Sequence, residues 1–368
     1  MNSRTRVRNA IERRPVDRVP RYDSFWEDTI EAWVAQGYPR GVDPGEFFGF
    51  DMTMMGVDVS LRLEQKLLRE DGEYRTVRDR HGVTIRKAIG KSRSLECSDH
   101  ATTGREAWEK LKGRMRLNPA DKARLDTRSY FLHMEDYPTW EQARAQYDRL
   151  RATEKYVVFH SYGPWEGTWR HRGYSELMMD VAADPEWVHD MGRTLVTLLI
   201  ATLEHGLKVG IRPDALWLVD DLACTRGLLL SPRSWRAIFK PLYADLGRFL
   251  KANDISFWLH CCGNCEELIP DFIDCGLNVL QPLQAQSGMD VRQLKPRYGD
   301  KLTFWGNIDV TKMSGPAEVL EAEVREKLLV AKAGGGYLYH SDHSIPPEVS
   351  FQRYQWMMNE LVLKYGQY

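Results

Sequence analysis

The sequence lacks long hydrophobic runs and lacks a surplus of charge of either sign. No stretch reaches the roughly 18–20 apolar residues of a membrane-spanning helix, and the basic first twenty residues hold no apolar core of the kind found in secretory signals. The 51 Lys and Arg residues nearly balance the 52 Asp and Glu residues. Charge alone therefore predicts no binding to nucleic acid or to membranes, and we expect a cytoplasmic protein.

Cysteines are few but clustered. Of six cysteines, four fall within fifteen residues, namely Cys261, Cys262, Cys265 and Cys275. In an intracellular enzyme of this size, such a cluster indicates metal binding or catalysis before it indicates disulfides.

Strand-like and helical segments alternate from residue 155 onward. The strand-like runs are 156–160, 215–219, 255–259, 278–280, 302–305 and 336–339. Two N-terminal candidates, beginning at Arg18 and Asp51, bring the count to eight, which predicts an α/β fold of the (β/α)8 TIM-barrel type. An open doubly wound sheet is the alternative, but its usual glycine-rich phosphate loop is missing.

We expect residues 1–368 to form one domain with two additions. Residues 4–14 predict a basic N-terminal helix, and the Lys and Arg residues near 4–21 are expected to lie on a solvated face. Residues of about 70–92, with a turn at His81 and Gly82, predict a β-hairpin insertion that covers one end of the barrel.

Polar side chains follow the predicted strands at their carboxyl ends, where barrel enzymes place their chemistry. His260 and Cys262 are two residues apart, so an extended chain directs both to one side. Zinc accepts nitrogen and sulfur ligands and commonly takes three from the protein. We choose His343 as the third ligand, with Glu166 and Asp221 as weaker candidates. The alternative is that His260 and Cys262 are ordinary buried residues.

Further candidates surround this pair. Asp220 and Asp221 could orient a histidine, hold a hydroxyl or move a proton, or simply cap a loop. Glu166, in an aromatic setting, could have a raised pKa suited to acid catalysis, or could form a salt bridge. The predicted substrate-binding residues are Tyr162, Trp165, Asn264, Gln281, Asn307 and Asp51. The tryptophans, Trp217 and Trp305 among them, are more typical of a core.

Several segments together resemble the uroporphyrinogen decarboxylase superfamily, and within it the branch related to corrinoid-dependent methyltransferases. These segments are AIERRPVDRVP (10–20), DDL (220–222), LLLSP (228–232), FWLHCCGN (257–264), LK with YG (294–295 and 298–299), FWGNID (304–309) and GGGY (334–337). The resemblance covers nearly the whole chain, is strongest after residue 210, and implies the same barrel.

The decarboxylases and the methyltransferases of that superfamily differ in their sequence motifs. The decarboxylases need no metal and carry an N-terminal Arg-Gln-Ala-Gly-Arg pattern that this sequence lacks; Asp51 stands roughly where their catalytic aspartate lies, within a poor match. The methyltransferases resemble this chain through His-x-Cys-Gly, here His260, Cys262 and Gly263, which implies zinc. Their third ligand is a later cysteine, and His343 stands in its place. A histidine also occupies that place in the decarboxylases, so the resemblance implies either a substituted third ligand or a catalytic residue with no metal role.

The leading hypothesis is a zinc-dependent methyltransferase that moves a methyl group between a small O- or S-methyl substrate and a corrinoid protein. The corrinoid would arrive on a partner, because the sequence has no Asp-x-His-x-x-Gly motif. The alternatives are a metal-free decarboxylase acting on another acid and a non-catalytic small-ligand sensor. The resemblance also implies a homodimer.

Overall fold

The computed structural model describes residues 1–92, 95–128 and 136–368. Its strands, in chain order, are β1 (Met52–Val57), β2 (Lys66–Glu70), β3 (Tyr74–Arg78), β4 (Thr84–Ala88), β5 (Leu95–Ser98), β6 (Leu125–Asp126), β7 (Tyr156–Tyr162), β8 (Ala215–Val219), β9 (Ala223–Cys224), β10 (Gly227–Leu228), β11 (Ser256–His260), β12 (Val279–Gln281), β13 (Thr303–Trp305) and β14 (Tyr337–Leu338).

The helices, in chain order, are α1 (Ser3–Ile11), α2 (Glu27–Ala35), α3 (Pro44–Phe47), α4 (Arg105–Leu111), α5 (Trp140–Ala152), α6 (Pro164–Arg172), α7 (Tyr174–Ala183), α8 (Pro185–Lys208), α9 (Pro232–Ile238), α10 (Lys240–Ala252), α11 (Ile269–Asp274), α12 (Val291–Tyr298), α13 (Val310–Met313), α14 (Ala317–Ala331), α15 (Phe351–Trp356) and α16 (Leu363–Gly366). Several begin with proline after a capping side chain: Ser231 accepts the Ser234 N–H at 3.1 Å before α9, as the sequence predicts. No helix among the described residues is long and apolar enough to cross a membrane.

Seven strands lie side by side and parallel, in the order β1, β7, β8, β11, β12, β13, β14. This spatial order is also the chain order, with helices between the strands. A sheet that always adds its next strand on the same side curls toward closure, which is the arrangement of a (β/α)8 barrel.

The segment 18–25 supplies the eighth strand and closes the barrel. On one side the Tyr339 N–H donates to the Pro20 carbonyl at 2.8 Å, and the Tyr22 N–H donates to the Tyr339 carbonyl at 3.2 Å. On the other side the Asp51 N–H donates to the Arg21 carbonyl at 2.8 Å. The predicted barrel is confirmed, and the predicted strand at Arg18 is an extended segment held by isolated bridges, such as that of Arg21 with Tyr339, instead of a continuous strand.

The insertion is larger than the predicted hairpin. Strands β2, β3, β4 and β5 form an antiparallel sheet with a small apolar cluster of Val77, Val83 and Ile85. The β3–β4 turn places the His81 ring 5.7 Å from that of Tyr162, at the end of β7. The insertion therefore reaches the carboxyl end of the barrel.

Helix α1 covers the opposite, amino end, and two expectations need correction there. Arg6 and Arg18 are not on a solvated face: each guanidinium binds the Asp51 carboxylate, at 2.8 and 2.7 Å. Asp51 immediately precedes β1 and its side chain is fully buried. It ties the N-terminal segment to the barrel floor and cannot reach a substrate at the carboxyl end.

Candidate active site

Three ligand-type side chains meet where β8 and β11 end. Cys262 Sγ lies 3.3 Å from His260 Nε2, and Asp221 Oδ1 lies 3.4 Å from the same nitrogen. The three donor atoms all fall within 4.8 Å of one another. The pair predicted from the His-x-Cys spacing is thus brought together, with Asp221 beside it.

Neighbouring groups fix the orientation of these donors. His260 faces Gln281 in the β11–β12 register, and its Nδ1 lies 2.5 Å from Gln281 Oε1. An amide oxygen only accepts, so Nδ1 carries a proton and Nε2 is the ring nitrogen that faces Cys262 and Asp221. The Cys262 N–H donates to Asp221 Oδ1 at 2.8 Å. Gln281, predicted to bind substrate, instead supports the histidine.

Gly263 permits the sharp turn after Cys262. Its φ of +80° belongs to the left-handed region, and a Cβ there would lie 2.5 Å from the backbone of Ala223 and Cys224. The Asn264 N–H donates to the Cys224 carbonyl at 3.0 Å, across that close approach. The glycine therefore lets the Cys262 loop pack directly on the β9–β10 hairpin.

The donor set fits a zinc ion. Bonds of about 2.0–2.3 Å at tetrahedral angles place the donors roughly 3.3–3.6 Å apart, close to the 3.3 and 3.4 Å that separate His260 Nε2 from Cys262 Sγ and Asp221 Oδ1. Burial, and then the Asp221 carboxylate, raise the pKa of the Cys262 thiol well above its usual value. A cation between the donors would oppose both effects and favour the thiolate form of Cys262.

His343, the predicted third ligand, lies outside this group. Its exposed ring stacks at 5.9 Å on Trp26, and its Nδ1 accepts the Ser344 N–H at 2.9 Å. Its nitrogens are not within 4.8 Å of both His260 and Cys262. The structure thus brings Asp221, the weaker candidate, to the place predicted for His343.

Asp220 holds local structure together. Its buried carboxylate accepts the Tyr243 hydroxyl at 2.5 Å and the Glu166 N–H at 2.6 Å, and burial raises its pKa to about 8. A Cβ at Gly163 would lie 2.4 Å from the Asp220 carboxyl carbon. Asp220 therefore anchors the first turn of α6, the capping alternative.

Glu166 is buried near Asp220 and forms a salt bridge with Arg170. It accepts from Arg170 at 2.7 Å and from the Trp169 indole at 2.8 Å, and burial raises its pKa. The Arg170 guanidinium in turn lies 3.8 Å over the Tyr162 ring. Tyr162 and Glu166 thus form one wall of the barrel mouth, below the insertion.

Three predicted substrate-binding residues are structural instead. Trp165 is fully buried and packs on Phe239. Asn264 donates to the Ser287 carbonyl at 3.1 Å. The Asn307 amide donates to the Leu283 and Met289 carbonyls and accepts the Val291 N–H, so its hydrogen-bonding capacity is filled by backbone. These residues tie loops together.

Two inward-facing rings, of His340 and Trp217, lie near the site but are not among the site residues that the sequence predicts. His340 is two residues beyond Leu338, a residue of the barrel interior, and its ring lies 5.1 Å from Trp305. Trp217 of β8 is partly exposed, with its ring 5.9 Å from His260. The period-two alternation of strands was the signal that could have found both.

A (β/α)8 barrel with a candidate metal centre at its carboxyl end is the class that this fold and site define. The uroporphyrinogen decarboxylase (URO-D) family model matches residues 157–362, more than half of the chain. The chain belongs to the URO-D family.

Two known proteins are similar to it. A uroporphyrinogen decarboxylase of Arthrobacter sp. (strain FB24) is 30% identical over 182 residues, which are 45% of this chain and 45% of that protein. The alignment thus spans less than half of that relative. A methyltransferase from Methanosarcina mazei has a TM-score of 0.61 at 15% identity, with 96% of each chain covered, which shows a shared fold.

Proposed function

We propose that this protein is a zinc-dependent methyltransferase acting on a small O- or S-methyl substrate. The observation that carries the proposal is the His260–Cys262–Asp221 group, in which one nitrogen, one sulfur and one oxygen donor converge. Three protein ligands with one position left for substrate are typical of catalytic zinc. Bound zinc would supply Lewis acidity to the oxygen or sulfur atom that carries the methyl group.

The residues of the chain have separate tasks in this proposal. His260 presents Nε2 because Gln281 holds the proton on Nδ1. Asp221 supplies an oxygen donor and accepts the Cys262 N–H, so these two donors are fixed relative to each other. The insertion, through His81 against Tyr162, limits access of water to the barrel mouth.

The methyl acceptor in this proposal is a corrinoid cofactor carried by a partner protein. The methyl–heteroatom bond breaks with its electron pair staying on the heteroatom, and a reduced cobalt centre contributes the pair that forms the new bond to carbon. The balance requires a cobalt(I) corrinoid as co-reactant and a proton for the departing oxygen or sulfur.

The experiment measures methyl transfer from a panel of methyl ethers and thioethers to reduced free cobalamin. The absorbance change of the cobalamin reports the transfer. We expect turnover that a chelator abolishes and zinc restores, and a loss of at least about 100-fold in Cys262→Ala and Asp221→Ala. His343→Ala is the matched control and keeps its activity. Turnover that is indifferent to chelation would contradict the proposal.

A metal-free decarboxylase is the second candidate, favoured by the Arthrobacter relative. The burial of Asp51 against Arg6 and Arg18 speaks against it, since that acid is closed off from any substrate. Chelator-insensitive carbon dioxide release from carboxylic acids, without methyl transfer to cobalamin, would favour this candidate over the first.

A further inference from the structure

A cavity with basic walls lies outside the barrel, where the loop after β1 meets the segment between α4 and β6. Its volume is about 320 Å³, within the range of about 300–1,000 Å³ that is typical of small-molecule sites. A Cβ at Gly113, one of the lining residues, would meet no described atom within 4 Å, so this wall borders open space. We call it the basic cavity, because five of its ten described lining residues are cations, namely Arg62, Arg114, Arg116, Lys122 and Arg124.

Two of these cations form a fixed inner wall. Arg62 Nε donates to Asp58 Oδ2 at 2.8 Å, and its two terminal nitrogens donate to the carbonyls of Lys122 and Ala123 at 2.8 and 2.6 Å. Arg124 Nη1 lies 3.4 Å from the same Asp58 oxygen. A guanidinium has five N–H donors, so Arg62 keeps two after these three contacts. The inner wall is therefore held in place and still has donors for a ligand.

The other three cations are exposed at the rim of the basic cavity. Within the described part of the chain, none of Arg114, Arg116 and Lys122 forms a salt bridge. The one contact of the Arg114 guanidinium runs from Nη1 to the Arg62 carbonyl at 3.5 Å. Asp121 also lines the cavity, but its carboxylate accepts the Asn118 amide at 3.1 Å. These cations are thus available to an anion from solution.

The basic cavity carries a surplus of positive charge. Asp58, bound by the inner wall, and Asp121 balance two of the five cations, so three positive charges remain among the described side chains. Arg80 adds a cation behind the inner wall, 3.6 Å from Asp58. The whole chain has a formal net charge of −1, so the surplus is local. A cleft lined by one sign of charge concentrates ions of the opposite sign.

We propose that the basic cavity binds the phosphate group of a small phosphate monoester. Such a group carries a charge of about −1.5 to −2 near pH 7 and offers three strong acceptor oxygens, which match several convergent cations better than a single carboxylate would. Leu117, partly exposed, lines the same cavity and can contact the carbon chain of the ester. The surplus is confined to one concave cavity, which favours a small ligand over an extended polyanion. This binding does not depend on the proposed function.

Calorimetric titration with glycerol 3-phosphate at low ionic strength tests the proposal. We expect saturable binding that is about tenfold weaker in Arg116→Gln and in Lys122→Gln, since each variant loses a charge-assisted hydrogen bond at an exposed position. Arg233→Gln is the matched control, because Arg233 is an exposed cation in α9, outside the basic cavity, and affinity should not change. Cys262→Ala should bind as wild type, so failure of the zinc centre and failure of this site are distinguishable.

Other probes and the pH dependence define the ligand. Glycerol and succinate should bind at least about tenfold more weakly than glycerol 3-phosphate, and inorganic phosphate several-fold more weakly, because it lacks the carbon chain. Affinity should fall below about pH 6, where the phosphate loses its second charge. Absence of saturable binding, unchanged affinity in both cavity variants, or preference for inorganic phosphate, succinate or a short DNA strand would overturn the proposal.

Discussion

Gln281 Oε1 lies 2.5 Å from His260 Nδ1, between adjacent strands of the barrel. This contact fixes which imidazole nitrogen is available at the candidate metal centre. Removing it should weaken zinc binding without removing any ligand. We expect Gln281→Leu to lower zinc affinity about 10–100-fold, measured by competition with a chromogenic chelator.

The conservative variant serves as the control for that experiment. Gln281→Glu retains an oxygen acceptor for the Nδ1 proton and should recover most of the affinity. Equal zinc affinity in wild type and Gln281→Leu would mean that the contact has no part in metal binding.

Gly263 provides a prediction about the turn after Cys262. Gly263→Ala would force a Cβ to within 2.5 Å of backbone atoms at a φ of +80°. We expect a loss of at least about 2 kcal/mol in unfolding free energy, together with weaker zinc binding. Gly276→Ala, at a φ of +89° with no atom within 4 Å, is the control and should cost about 1 kcal/mol. Urea denaturation compares them, and similar losses would contradict the close approach.

Asp23 predicts a pH dependence of stability. Burial raises its pKa to about 7, although hydrogen bonds from Ser341 and Tyr354 oppose the shift. The unfolded pKa is about 3.9, so between about pH 4 and 7 the folded state binds a proton that the unfolded chain has released. Protonation of Asp23 therefore contributes fully to the free energy of unfolding below about pH 4, and this contribution is lost as pH rises through about 7. Urea midpoints from pH 4 to 8 should fall less steeply in Asp23→Asn. If the urea midpoints of wild type and Asp23→Asn fell equally steeply with pH, Asp23 would not be a source of the pH dependence.

Asn307 was predicted to bind substrate, and its backbone hydrogen bonds support a different expectation. Asn307→Ala removes contacts with Leu283, Met289 and Val291 and should lower the unfolding free energy by about 3 kcal/mol. Zinc affinity should not change in the protein that remains folded. Asn253→Ala, which removes one part-buried hydrogen bond, should cost only about 1 kcal/mol. Thermal denaturation and zinc titration separate stability from binding.

The sequence predicted the barrel well because its signals are local. Apolar runs such as 215–219 and the Ser231–Pro232 helix start depend only on nearby residues, and alternation with helices leaves few topologies. The same applies to His260 and Cys262, whose shared direction follows from strand geometry. The insertion was underestimated because β2 and β5 contribute little apolar burial that would mark them as strands.

The rest of the site depends on loop paths, which no periodicity encodes. In the sequence, Asp221 and His343 are both polar residues that follow a strand. Only the folded loops distinguish them: the turn at Gly263 brings Cys262 toward Asp221, and the loop at 343–344 leaves the His343 ring exposed. Asn264 and Asn307 likewise look like ligand-binding residues in sequence, but their amides bind backbone. Asp51 comes just before β1, at the amino end of the barrel, whereas the residues of the candidate site follow the carboxyl ends of strands.

Zinc-edge X-ray absorption on the purified protein tests the central claim most directly. We predict about one zinc per chain, with one sulfur at about 2.3 Å and the remaining donors nitrogen or oxygen at about 2.0–2.2 Å. The sulfur contribution should vanish in Cys262→Ala and persist unchanged in His343→Ala. A protein without zinc, or a zinc environment without sulfur, would contradict the His260–Cys262–Asp221 centre.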